Sequence, residues 1–233
     1  MLAAAQEGPA ESPRIPEETI ARLRRKLAEA EDIESTSGRR RAYKRIVREA
    51  ESLLEEHRAS PDRFRLLGIV FETRKAMFEM RQSDEYREAL LKTATRLLEA
   101  PDEHADLRVE PDMMLLQLKL ASEESSPRNS ALEIARFADR YRDTPAEARS
   151  LMMAAESAFD LGNAILLGAF RKVLTARFRD DPLVTAFMRE RFATGGQIHL
   201  RGEFERADGR TVSFPVGRTY VVCFWSHDAP LLK

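Results

Sequence analysis

Cysteine is nearly missing from this chain: its 233 residues include one, Cys223. A single thiol excludes an internal disulfide, a thiolate zinc cage and a two-cysteine redox pair within the chain. Net charge is equally scarce. Lys+Arg at 38 against Asp+Glu at 39 leaves a formal charge of −1, so no broad basic field draws the molecule to nucleic acid or an anionic membrane. Long apolar runs are also lacking, because charges interrupt every hydrophobic segment short of the roughly 18 residues a membrane span needs. Histidine offers no metal set, since His57, His104 and His199 each stand apart from any partner at ligand spacing. No metal, cofactor or small-molecule ligand is expected.

What the chain does have is apolar mass in helical rhythm, with 43% hydrophobic residues. From Pro16 to about Phe192 apolar residues recur at helical spacing, broken by turn residues every dozen or two positions. The clearest stripe is Tyr43, Ile46, Val47, Ala50, Leu53 and Leu54, with Arg45, Arg48, Ser52 and Glu55 opposite. An earlier helix starts near Pro16-Glu17-Glu18, buries Ile20, Leu23, Leu27 and Ala30, and is expected to end at Ser35 to Gly38. Ser60-Pro61-Asp62 opens a third helix, with Ser60 as its N-cap and a face of Phe64, Leu67, Phe71 and Phe78. Ser83-Asp84-Glu85 starts a fourth, carrying Tyr86, Leu90, Ala94, Leu97 and Leu98 until Pro101. Further helices are expected at about 111–123, 130–142, 145–160, 163–178 and 182–192, and their short links favour antiparallel hairpins.

One internal echo stands out. Arg140-Tyr141-Arg142-Asp143-Thr144-Pro145 returns as Arg177-Phe178-Arg179-Asp180-Asp181-Pro182, about one two-helix unit later. On these residues, 137–192 resembles the tetratricopeptide-like repeats of bacterial envelope and lipoprotein-associated proteins, with a generic helical bundle as the alternative. In both cases the helices present surfaces rather than chemistry.

Beyond Phe192 the composition changes. Five of the ten glycines are Gly195, Gly196, Gly202, Gly209 and Gly217, and the apolar period becomes alternating. Ile198, Leu200 and Phe204 suggest a first strand, Asp208-Gly209 a hairpin turn, and Thr211 to Phe214 a returning strand. Tyr220-Val221-Val222-Cys223-Phe224-Trp225 reads as a strand buried on both faces of a sheet. The expected organisation is therefore a segment 1–15, a helical-hairpin domain over 16–194 and a short β segment over 195–233. The first segment reads as a disordered tail or, on Ala3-Ala4-Ala5-Gln6, as the remnant of an export signal.

The order Gly, strand, Asp-Gly hairpin, strand, buried strand ending Phe224-Trp225, then Ser226-His227-Asp228-Ala229-Pro230-Leu231-Leu232-Lys233, resembles the opening of a thioredoxin-like domain of the TlpA and redoxin type. Aligned on Phe224-Trp225, the resemblance places the family's nucleophilic cysteine at Ala229, its two intervening positions at Pro230 and Leu231, and its resolving cysteine at Leu232. Neither residue supplies the thiolate that disulfide exchange requires. The resemblance implies a mostly α protein whose helical hairpins precede an incomplete start of a thioredoxin fold, in a thiol-disulfide oxidoreductase family but redox-inactive as sequenced. It implies an extracytoplasmic, periplasmic setting if an export signal precedes Met1, and a cytoplasmic one if the start is genuine. The chain is expected to be a fragment, since the family's later strands would follow Lys233.

Other candidates read as structural. Cys223 lies inside an apolar strand, where thiols behave as small hydrophobes. Ser226, His227 and Asp228 hold the letters of a hydrolase triad, but adjacent side chains point apart. Arg39, Arg40, Arg41, Lys44 and Arg45 form the densest positive cluster, and they read as a solvated helix face beside Glu29, Glu31, Asp32 and Glu34. Met113-Met114-Leu115-Leu116 and Met152-Met153 read as core filler. The alternative function is a helical repeat scaffold that binds a protein partner through its hairpins, with no nucleic acid and no membrane span.

Overall fold

The computed structural model describes residues 14–121 and 126–192, together with the backbone of 203–205 and 211–213. The chain divides into two units, Met1–Arg189 and Glu190–Lys233. Among the described residues the first is all helix. Its elements are α1 (Glu17–Glu31), α2 (Thr36–Glu56), α3 (Arg63–Met80), α4 (Asp84–Leu97), a 3-10 turn (Asp102–His104), α5 (Ala105–Leu120), α6 (Pro127–Arg140), α7 (Glu147–Asp160), α8 (Ala164–Arg177) and α9 (Pro182–Phe192). No described helix is long and apolar enough to cross a membrane.

Helix α1 starts on Pro16, whose fixed φ suits a helix entrance, with Glu17 and Glu18 over the positive end of the helix dipole. Its stripe of Ile20, Leu23, Leu27 and Ala30 is buried as the spacing predicts. The segment Ser35 to Gly38, expected to end this helix, instead begins the next: Ser35 Oγ accepts the Gly38 N–H at 3.2 Å and caps α2. The end of α1 is closed from α2, where Arg39 donates to the Ile33 carbonyl through Nε at 3.0 Å and Nη2 at 2.9 Å. On α2, Tyr43, Ile46, Ala50 and Leu54 are buried while Arg45, Arg48, Ser52 and Glu55 face water.

Helix α3 begins later than its Ser-Pro signal. Asp62 occupies the cap position, and Ser60, itself buried, accepts the Asp62 N–H at 3.3 Å in the turn before it. The expected single face is too narrow: Leu66, Ile69 and Val70 are buried as well as Phe64, Leu67 and Phe71. The reason is that α3 packs on α1, α2, α4 and α5. A helix with four neighbours spreads its apolar residues beyond one face, and the exposed Glu72 and Glu79 mark the part that stays uncovered. Arg74 is its polar tie, donating to Glu51 on α2 at 2.6 Å and to the Ala89 carbonyl and Thr93 on α4.

Helix α4 follows the sequence closely, with Ser83 accepting the Tyr86 N–H and Tyr86, Leu90, Ala94 and Leu97 buried. Helix α5 does not. The spacing predicts it from about residue 111, yet it starts at Ala105, after the 3-10 turn, and runs through Pro111. It ends at Leu120 rather than 123. Helix α6 likewise starts three residues before its expected 130, because Ser126 caps it by accepting the Asn129 N–H, with Pro127 at its first position.

Each helix from α1 to α7 packs on its successor, and α1 on α3, α3 on α5 and α5 on α7 also touch. The odd-numbered helices thus form one layer, with the even-numbered helices packed between and behind them. The Arg-aromatic echo acquires a structural meaning in this arrangement. Arg140, ending α6, clasps Asp112 on α5 through Nε at 3.1 Å and Nη2 at 2.8 Å, while Arg177, ending α8, reaches Glu147 at the start of α7. The residue before each proline serves the next turn, Thr144 Oγ1 accepting the Ala146 N–H and Asp181 Oδ1 accepting the Leu183 N–H. The two copies differ at the third junction residue. Asp143 adopts a left-handed φ of 61°, held by its N–H to Glu147 Oε2 at 2.9 Å and its carboxylate to Arg177 at 2.9 Å, and Asp180 has no such φ.

In the second unit, strands β1 (Glu203–Glu205) and β2 (Thr211–Ser213) pair antiparallel, with Phe204 opposite Val212. The strand expected at 218–225 lies outside the described residues.

Candidate functional site

The sequence candidates separate on the structure. Ala229, Pro230, Leu231, Leu232, Cys223, Ser226, His227, Asp228 and His199 lie outside the described residues. His57 sits at the C-terminal end of α2, where its Nδ1 is buried and lacks a hydrogen-bond partner. His104 lies in the 3-10 turn, its ring 6.1 Å from that of Phe64. Among the described residues no group of three His, Cys, Asp or Glu side chains is placed to hold a metal ion. In the basic cluster, Arg39 is engaged in closing α1, and Arg40, Arg41, Lys44 and Arg45 project into solvent. Met113 is buried and accepts from Ser157 across α5 and α7, which supports a packing role.

The odd-helix layer carries a cleft of about 460 Å³ that none of these candidates lines. Helix α1 contributes Arg24, Leu27, Ala28 and Glu31, a stripe at i, i+3, i+4 and i+7. Helix α3 contributes Gly68, Phe71 and Glu72, helix α5 Asp106, Leu107, Glu110 and Pro111, and helix α7 Arg149. Its floor forms where α3 and α5 approach most closely. A Cβ on Gly68 would lie 3.3 Å from Leu107 Cδ2, so the missing side chain lets the two helices meet there.

The charges on this cleft are not self-contained. Glu110 takes Lys75 of α3 at 2.5 Å and Arg149 of α7 at 2.6 Å, which joins three helices through one carboxylate. Burial alone would raise the Glu110 carboxyl, but those two cations hold it below the usual carboxylate range. Glu72 goes the other way. Its side chain opens to solvent at the mouth, yet helices crowd it closely enough that burial pushes its carboxyl up, with Glu31 and Glu110 adding to the rise and Arg24 and Arg149 opposing it. Among the described residues no hydrogen bond or close ion pair engages the carboxylates of Glu31, Glu72 or Asp106.

Two other clefts contrast with this one. The groove of α6, α7 and α8 is rimmed by Arg142 and Arg177, already paired with Asp139 and with Asp143 and Glu147. The cleft at Leu116 and Tyr141 holds Arg140 and Lys119, paired with Asp112 and Glu133. Tyr141 there is fully buried, donates to Asp112 at 3.0 Å and has its phenol pushed up by burial and by that carboxylate. That arrangement fastens α6 to α5 and has no group left for a ligand.

Sequence reasoning missed the odd-helix cleft because its lining comes from four helices between Arg24 and Arg149, and no local spacing links one helix's residues to another's. One signal was available: Glu72 directly follows the apolar run Leu66 to Phe71, and an acid set against the apolar run of a core helix marks an edge that stays open. Comparison of the chain with family models, with curated proteins and with solved structures finds no match.

Proposed function

We propose that the helical unit is a docking scaffold that holds a segment of a partner protein along the cleft of α1, α3, α5 and α7, in the manner of a tetratricopeptide-like stack. The observation that carries the proposal is this cleft, lined by four helices from across the unit and bearing three carboxylates, Glu31, Glu72 and Asp106, without a bonded partner among the described residues. The recurrence of the Arg140 and Arg177 clasps supports the stacked-hairpin reading, because each ties an even helix to the odd helix before it. The test is to pan a random dodecapeptide library on the full chain. Recovered peptides are expected to lose binding on Ala28→Trp, which fills the cleft from an exposed position, and to keep it on Arg48→Trp, on the outer face of α2.

A second reading concerns the C-terminal segment and rests on Phe224-Trp225. Their resemblance to a TlpA- or redoxin-type thioredoxin-like domain supports a family member that has lost its chemistry, with Ala229 and Leu232 where the two thiols would stand, and supports an extracytoplasmic setting. The full chain is expected not to reduce insulin disulfides. Turnover abolished by Cys223→Ser would overturn that alignment.

A further inference from the structure

Resting on the docking reading, we infer that the cleft selects a partner segment bearing lysine or arginine, its cationic groups seated between Glu72 of α3 and Glu31 of α1. The cleft holds four carboxylates, Glu31, Glu72, Asp106 and Glu110, against two guanidiniums, Arg24 and Arg149. Arg149 is engaged by Glu110 at 2.6 Å and by the Asp106 carbonyl at 3.4 Å, so it gives little to the rest of the cleft. Among the described residues Arg24 is the lining guanidinium left to offset Glu31, Glu72 and Asp106, with Arg149 adding to it at Glu72. An incoming ammonium or guanidinium completes that balance, whereas an incoming carboxylate meets three acids that Arg24 offsets only in part.

The floor sets the form of the occupant. Leu27, Phe71, Leu107 and Pro111 are apolar and lie below the charges, so the long aliphatic stem of lysine or arginine can rest on them while its head reaches the rim. Glu72 is raised by its surroundings, with Arg24 and Arg149 only partly opposing the rise, and no cation among the described residues bonds it. A residue kept for folding would be expected to improve stability. Here the opposite holds: the folded state ionises this carboxyl less readily than the unfolded chain, so its ionisation weakens the fold as pH rises from 4.5 through the folded value.

The test uses the dodecapeptides recovered on the full chain, measured by fluorescence anisotropy against the wild type and against Glu31→Gln/Glu72→Gln. The expected result is an excess of lysine and arginine in the peptides and about a tenfold weaker binding to the double variant. Thermal unfolding of Glu72→Gln should show a midpoint at pH 7 no lower than wild type, which separates lost recognition from lost structure. Peptides that are neutral or acidic, or basic peptides that bind both proteins equally, overturn the inference while their sensitivity to Ala28→Trp leaves docking intact. Peptides indifferent to Ala28→Trp overturn the docking reading and this inference with it.

Discussion

Helices α3 and α8 contain nearly the same words: Leu66-Leu67-Gly68-Ile69-Val70-Phe71 in one, Leu166-Leu167-Gly168-Ala169-Phe170 in the other. Neighbours make them different. Helix α3 packs on α1, α2, α4 and α5, and Leu66 is 0% exposed; helix α8 packs chiefly on α7, buries Phe170 and Leu174, and leaves Ile165 89% exposed. Even the glycines part company. A Cβ on Gly68 meets Leu107, and one on Gly168 meets nothing within 4 Å. An apolar run therefore states that a helix can be covered, and only the packing states whether it is.

The largest expected effect is at the centre of this contrast. Leu66→Ala should destabilise by about 2–4 kcal/mol, because it removes a fully buried side chain and leaves a cavity between packed helices. Ile165→Ala should change stability by less than about 0.5 kcal/mol. Urea unfolding of both variants measures the difference, and equal losses would mean that α8 is covered as thoroughly as α3.

A smaller effect is expected where the two regions are joined. Asp112 on α5 receives Arg140 and Tyr141 from the end of α6, and removing it as Asp112→Ala leaves the buried Tyr141 hydroxyl without its acceptor. About 1–3 kcal/mol should be lost, the lower part of that range reflecting a half-exposed Arg140. Tyr141→Phe in the same background should cost less than in the wild type, since the two changes break one network; strict additivity in the double-mutant cycle would show them independent.

Much of this architecture was legible in the sequence, and the reason is local. The stripes of α1, α2 and α4 repeat within a few turns, and Ser83 with Asp84 and Glu85 spells a helix start. What failed was also local, where one residue carries two meanings. Ser35 and Gly38 serve equally as a stop and a start, and Pro111, a usual opener, sits inside α5. The second face of α3 and the cleft were hidden for another reason. They depend on which helices stack against which, and Arg24, Glu72, Glu110 and Arg149 come together only once α1, α3, α5 and α7 share a layer.

Acid should loosen that layer through Glu110. Its folded carboxyl lies below the 4.5 of the unfolded chain, so its pairing with Lys75 and Arg149 contributes stability that is fully present above pH 4.5 and is lost as pH falls through the folded value. The contribution should be about 1 kcal/mol at neutral pH for a half-buried carboxylate with two partners. Glu110→Gln should therefore be less stable than wild type at pH 7 and approach it as pH falls below 4.5 through the folded value, as followed by denaturant midpoints. A constant gap across that range would mean that Glu110 acts by packing alone.

The smallest expected effect is the most discriminating, because it uses the glycine that both helices share. Gly168→Ala should stabilise by about 0.5–1 kcal/mol, the difference in helix propensity, since Gly168 is exposed inside α8 and a methyl group there touches nothing. Gly68→Ala gains the same backbone term, but its methyl lies 3.3 Å from Leu107 Cδ2, so part of the gain goes into shifting that side chain at the floor of the cleft. Its net change should fall below that of Gly168→Ala, and its effect on peptide binding should exceed it. Thermal midpoints of the two variants, measured together, decide the matter. If Gly68→Ala stabilises as much as Gly168→Ala and leaves binding untouched, then the close approach of α3 and α5 is not what shapes the cleft floor.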